Sequence, residues 1–183
     1  PPSIASYLIS ASGKRANQAP LSGLTFVQDQ ATMDEDDMTI VGEIVNDGEQ
    51  QAYRISIAAT VFDRSGALID VAAARTERYL LLPGETSPFK IFLGNMAGVP
   101  NRYALIAYGE PASAMDLATT AQIDLNSANI CPETSERLVL CGEVTNRSLG
   151  SATYVKAIAA YYDGDGTLID VDWSYAWANI LAP

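Results

Sequence analysis

Three groups of residues have types and spacings that could do chemistry. Asp163-Gly164-Asp165-Gly166-Thr167-Leu168, with Asp170 and Asp172 beyond, has the outline of a calcium loop, because carboxylates at alternate positions of a glycine turn can converge on one hard cation. It lacks a third early carboxylate, and the twelfth position counted from Asp163 is Ser174, where such a loop uses a bidentate Glu. A hairpin turn accounts for the same spacing: the Asp accepts from the backbone just ahead of it and Gly takes a left-handed φ. The turn is the preferred reading, with Asp163 and Asp165 kept as weak calcium candidates. The second group is Cys131 and Cys141, symmetric about Glu136 in the polar stretch Pro132 to Arg137. If that stretch turns, the sulfurs face each other across two strands, which favours a disulfide and an oxidising compartment over two buried thiols acting as small hydrophobes. The third is Trp173, Tyr175 and Trp177, alternating at strand spacing. Such a row can stack on a sugar, hold a partner protein or pack against the rest of the chain, and burial within the structure is the commoner use of an aromatic stripe. On that commoner reading it continues the apolar face of Ile169 and Val171.

Other chemistries are poorly served. The chain has no histidine, so the usual general base, the usual zinc ligand and every Ser-His or Cys-His nucleophile are missing. Asp and Glu are scattered over turns and polar faces, whereas carboxylate acid–base work needs two that converge. The expectation is a non-enzyme with no cofactor. A net charge of −11 repels nucleic acid and anionic lipid. No apolar run reaches the length that spans a bilayer. The expected partner is a protein or a glycan.

These residues must be positioned by elements that occur twice. Met38 to Val71 recurs, without a gap, as Leu138 to Val171, an offset of 100 (142 − 42). Gly42-Glu43-Ile44-Val45-Asn46 returns as Gly142-Glu143-Val144-Thr145-Asn146, and Asp63, Gly66 and Leu68 to Val71 return as Asp163, Gly166 and Leu168 to Val171. A fixed-period repeat is the strongest organisational signal a chain can carry. Within it, Met38, Ile40 and Ile44, then Ile55, Ile57, Ala59 and Val61, alternate with polar residues, the period of half-buried strands. Asn46-Asp47-Gly48, with a glycine for positive φ, then Asp63 to Gly66 and Pro83-Gly84-Glu85 read as turns. No stretch has a helical period, although residues 112–121 have room for a turn or two. Short strands with turn residues between them predict an all-β chain of tandem antiparallel β-sandwiches. The expected units are repeat 1 over 24–110 and repeat 2 over 122–183, with linkers at 13–23 and 111–121. Carried forward by the offset, Cys131 and Cys141 replace Ala31 and Val41, and Trp173, Tyr175 and Trp177 replace Ala73, Arg75 and Glu77.

The run of Gly42 to Asn46, Val61-Phe62-Asp63 with Gly66, and Leu81-Leu82-Pro83-Gly84-Glu85-Thr86-Ser87-Pro88-Phe89 resembles the FxLYD domain. The second copy offers Gly142 to Asn146 and Tyr161-Tyr162-Asp163 with Gly166; the Phe of the family name is Ala59 and Ala159 here. The resemblance implies immunoglobulin-like modules on the outside of bacterial cells and a scaffold rather than a catalyst. It carries over no catalytic residue. At the front, residues 1–12 hold Tyr7-Leu8-Ile9, similar to the Tyr103 to Tyr108 stretch that closes repeat 1. Repeat 2 reaches Pro183, the counterpart of Pro83, without the strands that follow Pro83. The N-terminal strand is therefore expected to complete a repeat 2, in strand-mediated self-association or within one chain.

Overall fold

The computed structural model describes residues 21–131 and 139–183. The expected strand within 1–12, most of the 13–23 linker and the polar stretch Pro132 to Arg137 lie outside the described residues. The first repeat supplies β1 (Leu24–Asp34), β2 (Asp37–Asn46), β3 (Ala52–Phe62), β4 (Leu68–Arg75), β5 (Leu80–Leu81), β6 (Thr86–Leu93) and β7 (Arg102–Pro111). A short helix α1 (Ala114–Thr119) follows, started by a capping box in which Ser113 and Asp116 satisfy each other's backbone N–H groups. The second repeat supplies β8 (Ile123–Ile130), β9 (Leu140–Asn146), β10 (Ala152–Thr153), β11 (Lys156–Tyr162), β12 (Leu168–Tyr175) and β13 (Ile180–Leu181). The described residues are all-β apart from α1, and their pairings are antiparallel.

In the first repeat β2 lies between β1 and β6, while β3 carries β4 and β7 on its two edges and β5 at its start. The alternation read from the sequence places Ile40 and Ile44 of β2, Ile55, Ile57 and Val61 of β3, and Phe89 and Ile91 of β6 in one core shared by both sheets. Tyr103, Leu105 and Ala107 of β7 pack onto it. Each large apolar side chain fully buried in this way contributes roughly 1.5–3 kcal/mol.

The repeated motif residues hold this frame together. β1 bulges between Phe26 and Gln28, and a Cβ at Gly42 would lie 2.7 Å from the Gln28 carbonyl oxygen and 2.4 Å from Phe89 Cζ. Only glycine fits there. Buried Asn46 donates from Nδ2 to the carbonyls of Gln50 (2.8 Å) and Leu81 (3.0 Å), so it ties β2 to β5. Glu85 accepts from the Leu82 N–H and pairs with Arg78. The second repeat reproduces the pattern. β8 bulges between Leu125 and Ser127, a Cβ at Gly142 would meet the Ser127 carbonyl at 2.4 Å, and Asn146 Nδ2 donates to Gly150 (2.8 Å) and Leu181 (3.1 Å). The β11–β12 register is that of β3–β4 displaced by 100, including the bulge residue Ile169 for Ile69.

Three local expectations need correction. Gly48 has no positive φ; its Cα faces the Ser22 carbonyl so closely that a Cβ would lie 2.5 Å from that oxygen. β8 stands 99 residues after β1, since Ile123 faces Asn146 where Leu24 faces Asn46. The turn between the first two strands thus differs in length, and Cys131 answers Thr32 rather than Ala31. The aromatic stripe does not share a face with Ile169, because the bulge turns Ile169 away from Leu168 and Val171. In the first repeat this sends Ile69 to the core and leaves Val71 outside.

The repeats differ in what encloses them. Among the described residues the second repeat has counterparts of β1 to β5 and none of β6 or β7. Its counterpart of β3 is two pieces, β10 and β11, broken at Tyr154 (φ 54°) where Arg54 has φ 51°. β7 pairs with β3 on both sides of that kink; β11 has no such partner among the described residues. The outer face of the β11–β12 hairpin instead lies on the outer face of the β1–β2–β6 sheet. Val41, Leu168 and Val171 are buried together there, with Ile158 and Ala160 against them. Around this seam Gln28 and Gln30 hydrogen-bond the Leu168 backbone, Lys90 pairs with Asp170, and Tyr162 donates to Glu43.

Candidate interaction surface

Strand β12 brings Trp173 and Tyr175 onto the face that carries Leu168 and Val171. Opposite them on β11 stand Ile158 and Lys156. The two apolar residues nearer the start of β12 are buried against the first repeat, while Trp173 and Tyr175 remain 46% and 51% exposed. The stripe is thus divided: its first part is contact between repeats and its second part is open surface. The Trp173 and Tyr175 rings meet edge to face at 5.3 Å, and Tyr154 adds a third ring 6.3 Å from Tyr175. Lys156 lies over the Trp173 ring, 4.4 Å from its centroid, and its ammonium also pairs with Glu77 of the first repeat. That cation holds the near end of the cluster against the neighbouring repeat.

Trp177 lies beyond the end of β12, fully exposed, and shares no ring contact with this cluster. The structure therefore replaces the expected row of Trp173, Tyr175 and Trp177 with Tyr154, Tyr175 and Trp173. Tyr154 escaped the sequence reading because it lies at the kink between β10 and β11, outside the strand that carries the other two rings. Its counterpart, Arg54, stacks on Tyr53 instead.

The other candidates resolve into structure. Asp163 Oδ1 accepts from the backbone N–H groups of Asp165 and Thr167, both at 2.9 Å, as Asp63 Oδ1 accepts from Ser65 and Ala67. Those bonds, led by the Ser65 hydroxyl, hold the Asp63 carboxyl below its ordinary pKa. Gly66 and Gly166 take the left-handed φ that the turn needs. Among the described residues no three Asp, Glu or Cys side chains gather in a way that could hold a metal ion. Cys131 and Cys141 form a disulfide with Cα atoms 5.8 Å apart. It runs diagonally, because Cys141 faces Asn129 while the Cys131 N–H donates to Val139; the register, with Ile130 opposite Leu140, replaces the direct opposition that symmetry about Glu136 predicted.

A shallow groove of about 300 Å³ lies between Glu49, Gln50, Gln51, Pro83, Pro111 and Ala112. Glu49 is its one ionisable group, so it offers binding contacts but no acid–base pair. Among the described residues no helix is long and apolar enough to cross a membrane. Comparison of the chain with protein-family models, curated proteins and solved structures finds no match.

Proposed function

We propose that this chain is a non-enzymatic scaffold or interaction segment, built of immunoglobulin-like sandwich units of the FxLYD type and working outside the cell or at its surface. One observation carries the reading. The residues that recur between the repeats go to architecture: Gly42 and Gly142 to a bulge, Asn46 and Asn146 to a buried bridge, Asp63 and Asp163 to a turn. A disulfide within a short hairpin favours an oxidising compartment.

A second reading has its own support. Tyr175, with Trp173 and Tyr154 each edge to face against it and all three about half exposed or more, forms an aromatic surface of the kind that stacks on a sugar or anchors a partner protein. In that reading the protein is a carbohydrate- or protein-binding module using the Trp173 and Tyr175 face. Glycan-array and pull-down measurements with Trp173→Ala as the control decide between the two. The scaffold reading expects no saturable binding at this face. Saturable binding that Trp173→Ala abolishes, with melting unchanged, would replace it with the binding module.

A further inference from the structure

The aromatic residues around β12 stand at positions that face outward in both repeats. In the first repeat, where β6 and β7 close the core, the counterparts Arg54, Ala73 and Arg75 are exposed as well. The exposure of Tyr154, Trp173 and Tyr175 therefore does not depend on which strands surround the core. Three large rings at outward positions, where the other copy has two arginines and an alanine, expose apolar area that contributes nothing to the core.

The rings do not lie flat. Tyr175 stands at 69° to Trp173 and at 70° to Tyr154, so they present faces in different directions rather than one plane for a row of pyranoses. Across the hairpin, Lys156 is opposite Tyr175 and Ile158 opposite Trp173. The Lys156 ammonium is taken by Glu77, and Ile158 packs into the seam. Asp172 and Ser174 alternate onto the other face of β12, where the first repeat has its core-side Ala72 and Ala74. A sugar site needs convergent polar side chains around the stacked ring, and the strand neighbours on this face do not supply them. What the face does hold is a cation on a ring, Lys156 over Trp173. Among the described residues no cationic side chain lies over Tyr154, which is 83% exposed, or over Tyr175. Charge favours the same chemistry. Residues 112–183 carry nine acidic residues and three basic ones, and two of those three, Arg147 and Lys156, are already paired. A field of that sign draws cations in and repels anionic polymers.

We propose that Tyr154, Trp173 and Tyr175 form a docking site for a basic protein segment, whose arginine or lysine side chains stack on the tyrosine rings as Lys156 does on Trp173. The ring quadrupole attracts the cation. An arginine also lays its planar guanidinium flat on a ring, so an arginine-rich segment binds more tightly than a lysine-rich one of equal charge. The link from Lys156 to Glu77 fixes the near end of the cluster, so part of the ordering cost is met before the partner arrives. This rests on the binding-module reading and narrows its partner from a glycan or a protein to a basic protein.

Fluorescence titration of the full chain carrying Trp177→Phe, which leaves Trp173 as the only indole, tests it. The probes are an alternating Arg-Gly octapeptide, the matching Lys-Gly and Glu-Gly octapeptides, and cellotetraose, at about 0.15 M salt. The expected result is saturable binding of the Arg peptide, weaker binding of the Lys peptide and none of the Glu peptide. Tyr154→Ala and Tyr175→Ala should each weaken the Arg peptide by about fivefold or more, with melting temperature and formal charge unchanged. Binding of the Arg peptide that both variants retain in full is diffuse charge attraction and overturns the proposal. Cellotetraose binding that the variants abolish, with the Arg peptide inert, also overturns it and leaves the binding module standing with a glycan partner. If no probe shifts the Trp173 emission the proposal falls, and the binding-module reading is then decided by the glycan-array and pull-down measurements alone.

Discussion

Leu68 and Leu168 occupy the same place in the same motif, as do Val71 and Val171, yet their surroundings are opposite. Leu68 and Val71 are 58% and 55% exposed, whereas Leu168 and Val171 are 1% and 2% exposed. The two hairpins have one register and one bulge, so local structure does not explain the inversion. Packing does. The first repeat has β6 and β7, whose Phe89, Ile91, Tyr103 and Leu105 complete a core on the inner face and leave the outer face to solvent. The second repeat, in which no described strand answers β6 or β7, buries the outer face of its hairpin on its neighbour. A repeated sequence therefore reproduces its turns and bulges faithfully, while its core depends on how many strands are present to close it.

The comparison is most sharply tested in the first core. Phe89→Ala removes the ring that Gly42 accommodates and should cost about 3–5 kcal/mol, read as a lower denaturant midpoint. Leu125→Ala on the exposed core side of the second repeat should stay within about 0.5 kcal/mol. If the two cost the same, the second repeat has a closed core in solution and the contrast fails.

Next in size is the leucine pair. Leu168→Ala should cost about 2–5 kcal/mol and appear as faster hydrogen exchange along β2 and β12, where the two repeats meet. Leu68→Ala should change little. Equal effects would mean that the seam around Val41 does not hold the repeats together.

The asparagines should break the contrast in the other direction. Asn46→Ala and Asn146→Ala each leave two carbonyls without their amide donor, at about 1–3 kcal/mol per site. Chemical denaturation should show similar losses, because this bridge is local to each repeat. A loss confined to Asn46 would show that the bridge matters only within a closed core.

The smallest effect concerns pH. The hydrogen bond that Tyr162 donates to Glu43, followed by burial, raises the phenol from an ordinary value near 10 to about 12. The docked state favours the neutral phenol, so its contribution is complete below pH 10 and is lost as pH rises through 12. A titration of phenolate absorbance should show two late tyrosines, Tyr162 and the more strongly raised Tyr103, and Glu43→Gln should move only that of Tyr162 back toward 10. No movement would mean that Tyr162 and Glu43 are apart in solution.

Much of the architecture was legible because it follows from short-range rules. Alternation over Ile55 to Val61 gave a strand with one buried face, the Asp and Gly pairs gave turns, and two cysteines flanking a polar stretch gave a disulfide. Less of the candidate surface was legible. Trp173 and Tyr175 could be placed on one strand face, but Trp177 lies past the strand end, and Tyr154 joins from the kink between β10 and β11. A bulge breaks the two-residue period, so counting by twos put Ile169 on the wrong face and a constant offset of 100 misaligned Cys131.

By itself, then, the sequence determined the all-β character, the repeat and the identity of each turn, because propensity, alternation and turn chemistry act over a few residues and recur wherever the residues recur. It also determined the acidity and the lack of histidine that bear on partners and chemistry. Only the tertiary structure decided which face of each hairpin is buried, which aromatic rings meet, and that Val41, outward on its own strand, becomes the centre of a second apolar cluster. Burial depends on surfaces brought together from residues more than a hundred positions apart, and no local pattern records whether the covering strands are there.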